Sequence, residues 1–336
     1  MHQLLRRVRD AVAWHFPFFG ASRFVAGTTA DEAIREAYKL TRDGFKITFN
    51  ILGEHVTNNA TANKYTQEYV ELARRAAAEK LPATISIKLS QIGLCIYEDY
   101  CWGNLVRIID ACKTFNVPLE IDREEPRWRD ATLRMFLRAH NLWQGQVRLC
   151  VQAKYDDSLQ EAITHIVREH PIRLCKGASY GSNGAGNELV ADRIRRFLGF
   201  CSGLDAGWKG SLVHFSTPGH KVNVALATHD LRLVEEFIKS NPPDIWFELQ
   251  VLRGMQNGFK PAVRAGYPVR VYVPYGPDWF AYACRRKQQV VKLIKPGRKQ
   301  IRVPHLFQNP LQEFNNFMDT VGEVYTDLLH KPDVLR

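Results

Sequence analysis

The sequence has no run of about 20 apolar residues, the length that a membrane-spanning helix needs. It also has no proline-, glycine- or serine-rich linker and no evident repeat. With 45% hydrophobic and 24% charged residues, its composition is that of an ordinary globular protein. We therefore expect neither an integral membrane protein nor a disordered, collagen-like or coiled-coil chain, and 336 residues suffice for one large domain or two smaller ones.

Several motifs of catalysis and binding are missing. There is no HExxH, no CxxC, no dinucleotide fingerprint GxGxxG and no P-loop. These absences disfavour metal catalysis, and we expect no metal site. The seven cysteines, odd in number, predict reduced thiols in a cytoplasmic compartment. The basic start of the chain has only a short, broken apolar stretch, which argues against a secretory signal.

Acidic residues are the scarcer charge: 35 Asp and Glu against 46 Lys and Arg give a net charge of +11. An excess of this kind favours an anionic partner such as nucleic acid, anionic lipid or a phosphorylated ligand. No nucleic-acid-binding motif accompanies it. We therefore expect no nucleic-acid partner.

Eight short runs rich in branched apolar residues predict buried strands. They are residues 47–52, 83–89, 117–122, 147–152, 172–175, 222–227, 245–249 and 269–273. Segments with helical spacing separate them, and one such segment opens with Ser158-x-x-Glu161, the pattern of a capping box. Alternation of this kind predicts an α/β (β/α)8 barrel, with a doubly wound open sheet as the alternative. We expect a helical N-terminal arm at residues 1–40, the barrel at 41–305 and a tail at 306–336.

In such a barrel the chemistry lies at the carboxyl ends of the strands. Polar residues end every predicted strand here, among them Lys88, Asp122, Gln152 and Tyr272. A glycine-rich loop at residues 176–188 then offers backbone N–H groups for a phosphate. After the last strand, three side chains at positions i, i+3 and i+4 share one helical face and suit a carboxylate: Tyr282, Arg285 and Arg286.

Taken in order, these strand ends resemble the FAD-dependent proline dehydrogenase family, of the monofunctional type, over about residues 25–290. The motifs that carry the resemblance include Ser86-Ile87-Lys88-Leu89-Ser90, Ile121-Asp122-Arg123-Glu124, Val151-Gln152-Ala153, Arg173-Leu174-Cys175-Lys176-Gly177-Ala178, Ala227-Thr228-His229-Asp230, Phe247-Glu248-Leu249-Gln250 and Tyr282-Ala283-Cys284-Arg285-Arg286. The resemblance implies a distorted (β/α)8 barrel that oxidises L-proline to Δ1-pyrroline-5-carboxylate. It further implies hydride transfer to N5 of FAD, a quinone as electron acceptor, peripheral association with the inner membrane, and a downstream enzyme that uses the product.

The resemblance also implies residue roles. Lys88, Asp122 and Arg173 would be catalytic, with Arg173 near flavin N5. The substrate pocket would be formed by Lys88, Asp122, Leu252, Tyr272 and Tyr282, with Arg285 and Arg286 on the carboxylate. FAD would be held by Gln152, Arg173, Lys176, Gly177, Ala178, Thr228, His229 and Gln250.

Four features depart from the family pattern: Arg123 after the third-strand aspartate, Ser179, Gln289 and an extra loop at residues 207–221. They bear on substrate choice and flavin affinity more than on the fold. Two alternatives therefore stay open. One is oxidation of 4-hydroxyproline or another cyclic imino acid, and the other is a barrel lyase that uses Lys88 as a Schiff-base amine.

Overall fold

The computed structural model of the chain describes residues 23–177, 187–201, 222–240, 245–280 and 282–283. Eight parallel strands within these residues close into a barrel, each paired with its neighbours in chain order and the last with the first. Their bounds are β1 Lys46–Ile51, β2 Ala83–Ile87, β3 Leu119–Ile121, β4 Val147–Gln152, β5 Ile172–Cys175, β6 Val222–Ala227, β7 Ile245–Leu252 and β8 Val269–Tyr275. The predicted (β/α)8 barrel is confirmed, and the open-sheet alternative is wrong.

Helices lie between the strands along the chain. They are α1 Ala30–Arg42, α2 Asn59–Ala78, α3 Glu98–Thr114, α4 Arg129–Leu142, α5 Ser158–Val167, α6 Asn187–Cys201, α7 Leu231–Ser240 and α8 Lys260–Arg264. Short 3₁₀ turns at Leu89–Gln91, Pro126–Trp128 and Gln256–Phe259 complete the connections. Within the described ranges, no helix combines the length and the apolarity needed to cross a bilayer.

Helix α1 precedes the barrel in the chain and packs on it between β8 and β1. The helix begins at a capping box: Thr29 Oγ1 accepts from the Glu32 N–H at 3.3 Å, and Glu32 Oε2 accepts from the Thr29 N–H at 3.1 Å. Its apolar face, which includes Ile34 and Leu40, is buried in the main hydrophobic core. The chain divisions at residues 40 and 305 stay predictions, although α1 continues across the first of them.

The capping box predicted at Ser158 is wrong. Ser158 is the first residue of α5 rather than its cap, Asp157 occupies the cap position, and no side chain caps the helix there. The carboxylate of Glu161 binds two arginines instead, Arg123 and Arg129. Tertiary ion pairing has therefore taken the acidic side chain that the local pattern assigned to the cap.

Each barrel strand alternates between two environments because successive side chains point to opposite faces. In β4, Leu149 and Val151 join the apolar core, whereas Arg148 and Gln152 form polar contacts with other strands and loops. Neighbouring strands repeat the pattern, so that Thr48 Oγ1 meets Thr84 Oγ1 at 2.8 Å. The interior of this barrel is consequently polar, and its apolar core lies between the strands and the helices.

Candidate active site

A continuous chain of alternating charges runs through the barrel interior. Each member contacts the next within 3.3 Å, and seven side chains take part: five from five different strands, and two from the residues that follow β2 and β3. In order they are Arg270, Glu248, Arg148, Glu120, Arg173, Asp122 and Lys88. Because every buried charge has a partner of opposite sign, ionised groups can persist where isolated charges could not.

The deeper part of this chain is organised by two glutamates. Glu248 binds Arg270 through both carboxylate oxygens, at 2.7 and 2.9 Å. Glu120 accepts from Arg148 at 2.6 Å and from the Gln250 amide at 2.7 Å. Burial opposes ionisation of Glu248, but Arg270 outweighs it and lowers the pKa of this carboxyl to about 2. The floor of the barrel is therefore a set of fixed, ionised groups.

At the carboxyl ends of the strands, four side chains meet in what we call the mouth cluster: Lys88, Asp122, Arg173 and Tyr272. Asp122 is its centre. One carboxylate oxygen, Oδ2, accepts from Lys88 Nζ at 3.3 Å and from the Tyr272 hydroxyl at 2.9 Å. The other, Oδ1, accepts from Ser86 Oγ at 2.6 Å and from the Arg173 guanidinium. Lys88 and Asp122 thus form an ion pair at the mouth of the barrel.

The electrostatics of the mouth cluster keep Asp122 negative. Burial favours its neutral form, but the charges of Arg173 and Lys88 and the Ser86 hydrogen bond hold the pKa of Asp122 well below its usual range. Burial and the neighbouring Asp122 raise the pKa of Tyr272, which stays a neutral donor. With four donors on an ionised carboxylate, Asp122 is suited to anchoring cations and is a poor proton acceptor near neutral pH.

Gln152, at the end of β4, carries a hydrogen-bonding group that has no partner among the described residues. Its amide nitrogen donates to the Arg123 carbonyl at 3.0 Å. Its carbonyl oxygen, Oε1, is buried and has no partner among the described residues. Gly177 lies alongside with a φ of +100°, and a Cβ there would stand 3.2 Å from Gln152 Cβ and 3.3 Å from Oε1. A side chain at position 177 would thus crowd the unpaired acceptor.

Two further predicted cofactor residues are grouped around Asp230, after β6. Lys176 Nζ binds Asp230 Oδ2 at 3.2 Å, and Thr228 Oγ1 accepts from the Asp230 N–H at 3.1 Å. Close by in sequence, His229 Nε2 accepts from the Leu252 N–H at 3.2 Å. The structure therefore ties the ends of β5, β6 and β7 together on one side of the mouth.

Two thiols also face the interior beside these groups. Cys150 and Cys175 lie on the neighbouring strands β4 and β5, with their sulfur atoms 3.5 Å apart. The Cys175 thiol and, more weakly, Arg173 lower the pKa of Cys150 against the effect of burial. Neither cysteine forms a disulfide in this structure.

Comparison with known proteins finds similar chains. The family model described as proline dehydrogenase matches residues 33–183, from α1 to beyond β5. Proline dehydrogenase 1 of Bacillus subtilis subsp. natto is 29% identical over 272 residues, which are 80% of this chain and 85% of that protein. Proline dehydrogenase of Deinococcus radiodurans is 29% identical over 276 residues, covering 79% and 84%. The chain is thus similar to proline dehydrogenases over about four-fifths of its length.

Solved structures support the fold. Proline utilization A from Bdellovibrio bacteriovorus, inactivated by N-propargylglycine, superposes with a TM-score of 0.65 at 20% identity. Proline utilization A from Bradyrhizobium japonicum gives a TM-score of 0.60 at 17% identity. Each match covers 80% of this chain, but only 32% and 30% of those longer proteins. At these identities the likeness is evidence for the barrel alone.

The structure brings most of the predicted site residues to one end of the barrel, but not all in the expected way. The Gln250 amide is bound inside the barrel by Glu120 and Glu248, below the mouth cluster. Tyr282 is buried in a small apolar cluster with Leu52 and Trp279. Several predictions lie outside the described residues: Ala178, Ser179, Arg285, Arg286, Gln289 and the loop at residues 207–221.

Sequence reasoning missed the interior charge chain. Its unforeseen members are Glu120, Arg148, Glu248 and Arg270, together with Ser86, which donates to Asp122. All of them sit inside runs that were interpreted as buried apolar strands. The alternation of side chains along a strand could have revealed them. Glu120 and Arg270 each lie two positions before a residue that was already identified, Asp122 and Tyr272, and therefore face the same side of the strand.

Proposed function

We propose that this chain oxidises L-proline to Δ1-pyrroline-5-carboxylate, with FAD as hydride acceptor and a quinone as the final electron acceptor. The observation that carries the proposal is the mouth cluster itself, four predicted site residues in mutual contact around Asp122. The curated relatives named proline dehydrogenase, which this chain matches over four-fifths of its length, support the same activity.

The substrate side of the mouth suits a small zwitterion with an apolar ring. Lys88 and Asp122 provide fixed charges of both signs, and Tyr272 adds a neutral hydroxyl donor. Leu252, at the end of β7, and the ring of Tyr282 would contact the methylene groups of the substrate ring. Arg285 and Arg286 would bind its carboxylate by bidentate hydrogen bonds. Together these groups would hold the ring carbon next to nitrogen against the hydride acceptor.

The cofactor side fits FAD by its hydrogen-bonding chemistry. The buried, unpaired Oε1 of Gln152 needs an N–H donor, which a flavin ring offers. Gly177 leaves space for a close approach. The Lys176 cation and the backbone of residues 176 and 177 would suit the pyrophosphate, while Thr228 and His229 would hold the remainder. FAD, when bound there, supplies the hydride chemistry that no side chain provides.

The chain's own residues would then bind, orient and stabilise charge. Arg173 is buried and stays cationic, because Cys150, Asp122 and Glu120 outweigh the effect of burial and raise its pKa. A fixed cation next to flavin N5 stabilises the negative charge that develops as the hydride arrives. Lys88 and Asp122 would act on the substrate by electrostatic orientation, since Asp122 is already saturated with donors.

The proposal is tested by the visible absorption spectrum of the purified protein, recorded without oxygen before and after addition of L-proline. We expect flavin bands, and we expect L-proline to bleach them. The same protein mixed with 4-hydroxyproline is the matched control for substrate choice. Faster bleaching by 4-hydroxyproline would show that it, rather than L-proline, is the preferred substrate. An absence of flavin bands, even after incubation with FAD, would contradict the cofactor and the reaction class together.

Lys88 also distinguishes the proposal from a Schiff-base lyase. Its ammonium group is paired with Asp122 and lies 3.4 Å from Asn50 Oδ1, an arrangement that favours a bound cation over a free amine nucleophile. Trapping with borohydride in the presence of a carbonyl compound should therefore leave the mass of the chain unchanged. A stable adduct on Lys88 would favour the lyase instead.

The acceptor and the location follow from the same proposal. A quinone resides in a membrane, and the net charge of +11 would draw the protein to an anionic bilayer surface from the cytoplasmic side. We expect turnover with a short-chain ubiquinone and salt-sensitive co-sedimentation with vesicles that contain anionic lipid. The product would pass to an enzyme that consumes pyrroline-5-carboxylate.

A further inference from the structure

A buried ion pair stands directly beside the mouth cluster and has no part in it. Arg123, the residue after Asp122, donates to both carboxylate oxygens of Glu161 at 2.9 and 3.1 Å. The two side chains are only 4% and 9% exposed. Arg129 adds a third contact to Glu161 at 3.2 Å. The pair thus joins the end of β3 to the first turns of α4 and α5.

The main chain of Arg123 performs a second task. Its carbonyl oxygen accepts a hydrogen bond of 3.0 Å from the amide nitrogen of Gln152. Since only the nitrogen of a glutamine amide can donate, this bond fixes which way the amide faces. Oε1 is therefore directed away from Arg123, and it is the buried atom that finds no partner among the described residues.

The rest of the Gln152 environment is held equally firmly. The guanidinium of Arg193, from α6, donates to the carbonyls of Ala153 and Lys154 at 3.1 and 2.9 Å. Arg193 therefore fixes the backbone that follows Gln152. The carbonyl that orients the Gln152 amide belongs to a second buried arginine, Arg123. An acceptor fixed on both sides yet left unpaired indicates a donor that arrives with a ligand.

We propose that Arg123 is a positioning residue: its ion pair with Glu161 fixes the carbonyl that orients the Gln152 amide, so that Oε1 is presented to an N–H group of the flavin ring. This inference rests on the proposed function for the identity of the ligand. It assigns a purpose to a charged residue at the position where the family pattern has an apolar one.

The test is a double-mutant cycle on FAD binding, measured on the full-length chain by the quenching of flavin fluorescence. Arg123→Leu removes the ion pair, Gln152→Leu removes the acceptor, and a third protein carries both changes. We expect each single substitution to weaken FAD binding about three- to tenfold, the effect of one lost hydrogen bond. The double variant should be no weaker than the weaker single variant, because both changes remove the same contact.

Three further measurements separate positioning from general stability. Arg123→Lys keeps a cation opposite Glu161 but loses the bidentate contact, and should restore part of the FAD affinity that Arg123→Leu loses. The visible spectrum of bound flavin should change in Arg123→Leu and shift back toward that of the wild type in Arg123→Lys. Glu98→Gln is the matched control, because it breaks the exposed bidentate Arg134–Glu98 pair of 3.0 and 2.7 Å on another face of α4. We expect no change in FAD affinity from it.

The outcomes are distinct. Wild-type FAD affinity and an unchanged flavin spectrum in Arg123→Leu would overturn the inference, as would effects of Arg123→Leu and Gln152→Leu that simply multiply in the double variant. A wild-type chain that binds no FAD would instead refute the proposed function, and this inference with it. If Arg123→Leu does not fold, Glu161→Gln replaces it in the same cycle with the same expected result.

Discussion

The mouth cluster and a second buried group of titratable side chains have opposite electrostatic states. The second group, the histidine cluster, consists of His140, His165 and His170, between the last turns of α4 and α5 and the start of β5. His165 Nδ1 lies 3.0 Å from His170 Nδ1, a contact that requires one ring nitrogen to be unprotonated. Burial, with added repulsion from Arg168, lowers the pKa of His165 to about 4.

The difference between the two clusters lies in their neighbours rather than in their depth. Asp122 is surrounded by two cations and two hydroxyl donors, which stabilise its charge. The imidazoles of His165 and His170 instead contact each other and the ring of Phe136, with ring centroids 5.5 Å from that ring. Burial penalises charge in both places, and only the mouth cluster supplies compensating charge. Asp122 is thus ionised because its neighbours are cations and hydrogen-bond donors, whereas His165 and His170 stay neutral.

The largest expected effect comes from removing the central charge of the mouth cluster. Asp122→Asn leaves Arg173 and Lys88 without their common counter-ion, and we expect the free energy of unfolding to fall by about 3–5 kcal/mol. Urea denaturation measures the change. The control is Asp31→Asn, which breaks the exposed Arg75–Asp31 pair of 2.7 Å and should cost less than about 1 kcal/mol. Equal effects of the two substitutions would refute the comparison.

The histidine cluster should lose stability as pH falls, and at a higher pH than the carboxylates of the ion pairs. The pKa of His165 and of His170 is about 4 in the folded chain and about 6.5 when unfolded, so the unfolded state binds more protons between these values. Unfolding free energy should therefore decrease as pH falls from about 6.5 to 4, by about 2–3 kcal/mol after allowance for solvent screening at His170.

Denaturation at pH 7 and pH 4.5 measures this loss, and a variant isolates it. His165→Leu combined with His170→Leu removes both titrating groups, and the variant should lose less stability than the wild type over the same interval. If the variant loses as much stability in acid as the wild type does, the loss of stability comes from carboxylates elsewhere in the chain.

The smallest effect sharpens the description of the mouth cluster. Tyr272→Phe deletes one of four donors to Asp122, and because the other three remain we expect a loss of about 1–2 kcal/mol of unfolding free energy. Tyr100→Phe is the control, since the Tyr100 hydroxyl donates to the Asn59 carbonyl at 2.9 Å on the surface. A loss for Tyr272→Phe no greater than for Tyr100→Phe would show that its hydroxyl contributes nothing to holding the carboxylate.

Much of the fold could be predicted from the sequence. All eight strands occur at the predicted runs because branched residues that pack against helices leave a strong apolar signal. The ends were less accurate: β7 extends to Leu252 and β8 to Tyr275, since side chains that face a barrel interior need not be apolar. The same alternation concealed the interior glutamates and arginines, which look like interruptions of an apolar strand until their partners on other strands are known.

The site was predicted in outline through the strand ends, and its finer features were not. The Lys88–Asp122 pair follows from two neighbouring strands ending in opposite charges. By contrast, the capping pattern at Ser158 misled because Glu161 binds Arg123, 38 residues away in the sequence. No local pattern reports a contact at such a separation. The orientation of the Gln152 amide depends on the same contact and was equally invisible.

The most direct test of the account is the rate of anaerobic flavin reduction by L-proline, measured from pH 5 to pH 9. Asp122 is held ionised by Arg173 and Lys88, so its charge should be constant across this interval. We therefore expect that protonation of this carboxyl does not lower the rate toward pH 5. Any decrease of the rate in acid should be the same in the wild type and in Asp122→Asn. A decrease with an apparent pKa between 5 and 7 that disappears in Asp122→Asn would contradict it, because Asp122 would then be a proton acceptor rather than a fixed anion.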